Sequence, residues 1–292
     1  MRLASLGLVI LSAFAHALLS LLIKKSNQKQ IFCWLYNVAE LVIFAPIPIY
    51  YFIYDQSAFP ALSAMLLIVG LLHYLYIFTF AKSFEHSDMS LVYPIIRSSP
   101  ALVMVGSVLL LNEQVSLFGA TGVLLTVVGV YLLCMRSRDI TSILATFSDA
   151  SRTSGTRFAI LTALIATAFT LLDKVFVSTI PPILYAYILY VMTTAGLTVQ
   201  IAMTTTTESI RAEFRAFVLP IISCAILEVV GYVLVLIAFT EDKVSYVVGL
   251  RQISILIAVA MGGVVLKEEN LRQRSLASIV IFLGILLISF AN

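Results

Sequence analysis

Residues 90–113 read SLVYPIIRSSPALVMVGSVLLLNE, and residues 245–268 read SYVVGLRQISILIAVAMGGVVLKE. Laid over one another at an offset of 155, they match Ser90 with Ser245, Pro94 with Gly249 and Glu113 with Glu268, and the match runs on to Gly129 and Gly284. A second pair lies at an offset of 150, ILSAFAHALLSLLIKK from Ile10 over ILTALIATAFTLLDKV from Ile160, setting Ser12, Ser20 and Lys24 opposite Thr162, Thr170 and Lys174. All four stretches are apolar and of helical length, so the chain reads as a duplicated membrane unit. Duplication of this kind is the usual plan of secondary transporters, which hold substrate near mid-bilayer between the repeats.

Composition agrees. A chain of 292 residues that is 61% hydrophobic and 11% charged, with a mean hydropathy of +1.06, exposes too much apolar surface for a water-soluble fold. The net charge of +3 comes without any basic tract able to grip nucleic acid. Cys33, Cys134 and Cys224 are isolated within apolar runs and read as packing residues rather than disulfide or metal ligands. Arg2, the apolar run after it and Ala13-Phe14-Ala15 resemble a cleavable signal, but residues 8–24 repeat an internal span, so the N-terminus reads as a retained helix.

A membrane helix needs about 20 apolar residues, and that ruler yields ten spans at roughly 3–23, 31–53, 61–81, 90–111, 115–135, 157–178, 182–203, 216–239, 244–266 and 273–291. The expected fold is therefore all-α and polytopic, with a first five-helix repeat at 1–138, a polar Ser/Thr-rich loop at 139–156 and a second repeat at 157–292. Because five is odd, the second repeat must cross in the opposite sense, which makes the repeats inverted. The loops after the first, third, fifth, seventh and ninth spans carry thirteen Lys and Arg, whereas the other side carries only Arg2, Lys174 and Lys243. That bias favours cytoplasmic placement of the first set and both termini outside.

An ionisable side chain at the centre of a membrane helix costs at least about 2.5–3.5 kcal/mol, so each one asks for a reason. The candidates are His16, Glu40, His73, Arg97, Glu228 and Arg251. Arg97 and Arg251 each stand about eight residues into the fourth and ninth spans, roughly 10 Å deep at 1.5 Å per residue, and can reach toward a shared cavity. Pro94 and Pro100 flank Arg97, and Gly249 precedes Arg251, so a helix break is expected at both arginines. Ser98, Ser99, Gln252 and Ser254 add hydrogen-bonding groups, and Tyr93 and Tyr246 lie close by on the same two spans. Such a set suits a carboxylate or phosphate-type group; the competing reading pairs the arginines with Glu40 or Glu228 as structural ion pairs.

Either glutamate also qualifies as a proton carrier. His16 falls in the first span near the expected cavity, while His73 reads as a packing or hydrogen-bonding residue. Tyr74, Tyr76, Phe78, Tyr185, Tyr187, Tyr190 and Tyr232 read mainly as lipid-facing or interfacial packing. Asp173 and Lys174, with Lys24, read as helix-end residues reaching the interface, and Glu113 and Glu268 as caps of the next helix start.

On the small-polar first helix of each repeat, its Lys24 or Lys174 terminus and the run LNEQVSLFGATGVLLTVVGVYLL, the whole chain resembles the drug/metabolite transporter superfamily of EamA type. The resemblance implies ten helices around a central cavity, transport of small metabolites, a bacterial or archaeal cell (inner) membrane, and cytoplasmic termini, against the loop charges. Organic-phosphate translocators of that superfamily use basic cavity residues. The expected function is thus a secondary transporter of a small anionic or zwitterionic metabolite, such as an amino acid, organic acid or phosphate-type compound, working by alternating access. Its partners would be that substrate, membrane lipids and a coupling proton, with the protein as monomer or homodimer and without cofactor or metal. A flippase gripping a lipid phosphate is the alternative. Neither HExxH nor GxSxG nor a nucleotide loop appears, which argues against an enzyme or a primary pump.

Overall fold

A computed structural model describes residues 2–58, 64–86, 89–134, 154–257 and 271–291. The regular elements among them are all helical: α1 Leu3–Lys25, α2 Lys29–Ile43, α3 Pro46–Tyr54, α4 Ala64–His86, α5 Met89–Ile96, α6 Ser99–Leu111, α7 Leu117–Cys134, α8 Ser154–Phe176, α9 Pro182–Thr204, α10 Thr207–Glu241, α11 Val244–Leu250 and α12 Leu271–Ser289. After α11 the chain turns at Arg251 and Gln252 and is helical again over 253–257. Among the described residues, seven stretches are long and apolar enough to cross a membrane, and three shorter apolar helices, Leu117–Leu133, Val244–Ile257 and Leu276–Ser289, fall where the fifth, ninth and tenth spans are expected. The chain is a multi-pass membrane protein. The linker expected at 139–156 ends sooner, because α8 starts at Ser154; residues 135–153 lie outside the described residues, as do Glu268 and the side chains of Lys24 and Cys134.

Besides the ninth, with its turn at Arg251 and Gln252, three spans are not the uniform helices the ruler implies. The second is interrupted at Phe44 and Ala45, where Pro46, at the start of α3, has no N–H to donate. The fourth is interrupted at Arg97 and Ser98, with Pro94 inside α5 and Pro100 in the first turn of α6. In the eighth, α10 begins at Thr207, well before the expected 216, and kinks at Phe217 (φ −132°, ψ 29°), within the turn whose hydrogen bonding Pro220 disrupts.

Matched repeat by repeat, α1 corresponds to α8, α2 to α9, α4 to α10, α5 to α11, and α7 to α12, while α6 corresponds to the stretch that begins at 253. Much of the packing recurs when the halves are exchanged. Helix α1 lies on α10 as α4 lies on α8, α2 lies on α10 as α4 lies on α9, and α5 lies on α8 as α11 lies on α1. The pairs α7–α12 and α2–α9 are their own counterparts. Glycines fix the first of these at atomic scale. A Cβ on Gly122 would stand 2.7 Å from the Gly284 carbonyl oxygen, and one on Gly284 would stand 2.7 Å from the Gly122 oxygen. One on Gly129 would stand 2.9 Å from the Ile281 amide nitrogen, just as one on Gly284 would stand 2.8 Å from that of Thr126. Small residues that let backbones touch are what holds membrane helices together where no water-driven burial operates.

Polar contacts sort the ends of the bundle. At one end the Arg2 amide donates to Asp242 (3.0 Å), Arg2 pairs with Glu241, and Lys174 Nζ donates to the carbonyls of Phe239 and Asp242 (2.8 Å). Glu113 joins them, accepting from the Val244 amide (2.7 Å) and the Ser245 hydroxyl (2.9 Å). It caps α11 of the opposite repeat, a correction to the expectation that it caps the next helix in sequence; Asn112, in the left-handed region at φ 54°, turns the chain toward that contact. At the other end the Asn27 amide donates to Glu213 (3.2 Å).

Candidate substrate site

The helix breaks at the two arginines are the centre of the site. At the first, the Arg97 amide still reaches the Tyr93 carbonyl (2.9 Å), Ser98 closes a tighter turn onto Ile95 (3.2 Å), and its hydroxyl takes the same carbonyl (2.6 Å). At the second, Arg251 reaches Val247 (3.0 Å) and Gln252 closes onto Gly249 (3.2 Å). The turns are alike but their causes differ. Gly249 keeps a negative φ; its missing side chain serves close packing, because a Cβ there would meet Ile288 at 2.7 Å. The breaks meet across the α6–α11 interface, where the buried Gln252 amide donates to the Arg97 carbonyl (3.3 Å). At the offset of 155, Gln252 is the repeat counterpart of Arg97, so a position touches its own counterpart; Arg251 stands opposite Ile96, one residue out of register.

Around these turns the structure assembles most of the expected set. The Arg97 guanidinium lies over the Tyr93 ring at 5.2 Å from the centroid. Arg251 feels the charges of both Arg97 and Glu228, and His16, from α1, feels both arginines. Arg97, Arg251, His16, Tyr93, Ser98, Ser99 and Glu228 are all half-buried, neither sealed in packing nor spread on the outer surface. Two expected members sit elsewhere. Tyr246 is only 1% exposed and packs on Gly119, and its hydroxyl accepts from the Ser116 amide (2.8 Å) at the start of α7. Glu40, also 1% exposed, is on α2 facing Glu228 rather than an arginine.

Tyr76 and Tyr232 join the site, correcting their reading as outward packing. Tyr76 interacts electrostatically with Arg97, Arg251 and Tyr93, while its ring meets Phe169 edge-on at 5.5 Å. The signal was its position three residues after His73, on the same face of α4. Tyr232 interacts with Arg251 and donates to Asp173 Oδ2 (2.8 Å).

Asp173 is the largest correction. It does not reach the interface: it is 1% exposed, accepting from Tyr185 (2.7 Å) as well as Tyr232, with His73 Nε2 4.0 Å from Oδ2. Four helices, α4, α8, α9 and α10, meet on this one carboxylate. His73 Nδ1 donates to the Val69 carbonyl (3.0 Å), which only accepts, and the one Tyr232 hydroxyl proton goes to Asp173. His73 Nε2 also lies 3.1 Å from the Tyr232 hydroxyl. The row Thr162, Ala166, Thr170, all buried on α8 at helical spacing, already pointed this face inward. Tyr185 and Tyr190 are buried too, and Lys174, beside Asp173, is half-buried on the carbonyls that end α10 rather than reaching outward.

Cys33 and Cys224 are free thiols, and no cluster of metal-binding side chains occurs among the described residues.

Comparison with known proteins gives one family. The EamA-like transporter family matches twice, over residues 3–135 and 153–290, in agreement with the two repeats. A solved structure titled "Crystal structure of protein" superimposes with a TM-score of 0.72 over 98% of this chain and 96% of that chain at 13% identity, a likeness of fold. No curated protein matches the sequence.

Proposed function

Because this chain belongs to the EamA-like transporter family of the drug/metabolite transporter superfamily, we propose that it moves a small anionic or zwitterionic metabolite across a bacterial or archaeal cell (inner) membrane by alternating access. The observation that carries the substrate class is the pair of cationic helix breaks, Arg97 and Arg251, facing one another between the repeats, with Gln252 bonded to the Arg97 backbone. Two cationic groups brought together inside a membrane favour an anionic ligand, and a planar guanidinium fork suits a carboxylate or phosphate. Glu228 offsets part of that charge and gives an ammonium group of a zwitterion somewhere to bind. Tyr76, Tyr93 and His16 supply orienting groups. The recurrence of helix contacts on exchange of the halves supports inverted repeats that trade roles as the protein opens to either side.

A thermal-shift screen of the purified protein against amino acids, organic acids, phosphate esters, phosphonates and polyprenyl phosphates tests this reading. The expected result is stabilisation by a water-soluble anion or zwitterion that disappears in Arg97→Gln and in Arg251→Gln. Unchanged stabilisation in both variants would overturn the assignment of the arginines, and a response to polyprenyl phosphates alone would make the protein a lipid-phosphate flippase.

A further inference from the structure

We propose that Glu40 is the carboxyl through which this protein binds a proton in mid-membrane, and that Glu228, which the sequence offers equally, is not. The twelfth residue of the apolar stretch Lys29–Tyr54, Glu40 lies about 17 Å from its start at 1.5 Å per residue, near the centre of a hydrocarbon core about 30 Å thick. It is 1% exposed, and neither carboxylate oxygen has a hydrogen-bond partner among the described residues. Those two oxygens set it apart from Asp173, which is as deeply buried but bonded on both sides.

The neighbours make the same distinction. Helices α1, α9 and α10 pack on α2. From α10 come Glu228 and Cys224, from α9 comes Tyr190, and Cys33 and Tyr36 lie on α2 itself, all in electrostatic contact with Glu40. Away from its lysine-bearing end, α1 offers only His16. Thus the charge that Glu40 faces is another carboxylate, whereas Glu228 has Arg251 to offset it. An ionised carboxylate without a donor or a cation, buried beside a second carboxylate, is the arrangement least supported in a membrane; binding a proton removes the charge and supplies a donor.

Acceptors for that new O–H are at hand. Tyr190 Oη and Thr194 Oγ1, one turn apart on α9, are also buried without hydrogen-bond partners among the described residues. Contacts between Trp34 and Thr198 and between Tyr187 and the Leu41 carbonyl run α2 and α9 antiparallel and bring Glu40 level with that turn. The Tyr190 ring is 6.1 Å from Tyr232, whose hydroxyl rests on Asp173, so hydroxyl groups extend from Glu40 toward the Asp173–His73 pair. That this proton drives transport rests on the transporter reading; that Glu40 binds it does not.

Infrared pH-difference spectra of the full chain in lipid nanodiscs test the site without any metabolite. The expected wild-type spectrum holds a carboxylic-acid C=O band that gives way to carboxylate on raising the pH, is absent in Glu40→Gln and persists in Glu228→Gln. Tyr190→Phe should shift the band without removing it, a check that does not depend on how Glu40→Gln folds. A band that survives in Glu40→Gln, a loss only in Glu228→Gln, or no titrating band in the wild type would overturn the proposal. So would a band that responds at fixed pH to replacing choline chloride with sodium chloride, since the ligand would then be a metal cation. Failure of the anion screen would remove the transport reading and leave this result standing.

Discussion

Glu40 and Asp173 are equally hidden from solvent, yet they are opposite kinds of residue. Asp173 sits at the junction of four helices and accepts from Tyr185 and Tyr232 with His73 beside it, while Glu40 has no hydrogen-bond partner among the described residues and looks onto Glu228. The first is a fastener, whose loss takes the acceptor from the Tyr185 and Tyr232 hydroxyls. The second contributes little to holding helices together and is free to change its charge. Burial alone therefore does not say what an acid in a membrane is for; the donors around it do.

The sharpest way to break this contrast is Asp173→Ala, which should cost about 3–5 kcal/mol of stability, because two hydrogen bonds to a buried carboxylate, worth about 1.5–3 kcal/mol each, are lost. Chemical denaturation in detergent micelles would show it, and a cost no greater than that of Glu40→Gln would abolish the distinction. Gly284→Val, which drives a side chain into the Gly122 carbonyl and the Thr126 backbone, should cost about 1–3 kcal/mol by the same measurement, with α7 and α12 pushed apart. Smaller again is Glu113→Ala: it uncaps α11, should cost about 1 kcal/mol, and should speed hydrogen exchange at the Val244 and Ser245 amides. Smallest is Glu40→Gln, expected to move stability by less than about 1 kcal/mol because no hydrogen bond is lost, while removing the infrared band.

How much of this was legible follows from which signals are periodic. The duplication is written directly in the paired stretches, and Pro94 and Pro100 announce the break at Arg97, since proline acts on its own backbone wherever it sits. Proline at 46 carried the same message for the second span but was absorbed into an apolar run. What sequence did not yield is which way a helix faces. Tyr246 is next to a serine of the same turn and near Arg251 in number, yet it points to α7; Glu113 is near α7 in number, yet it caps α11. Asp173 looked terminal because Lys174 follows it, and only the inward row of threonines above it betrayed its true direction. Rotation about a helix axis is decided by neighbours far away in sequence, and a hydropathy ruler holds no information on it.

The glycine seam between α7 and α12 carries a consequence for how the chain is made. Its two sides, Gly122 and Gly284, are separated by about 160 residues, which at typical synthesis rates of roughly 5–20 residues per second is an interval on the order of ten to thirty seconds. Throughout that interval α7 must wait in the bilayer with its smallest residues facing lipid or the insertion machinery, because its partner has not left the ribosome. A helix of the second repeat thus completes a seam begun in the first, and a nascent chain that ends short of α12 leaves that seam unfinished for quality control to recognise.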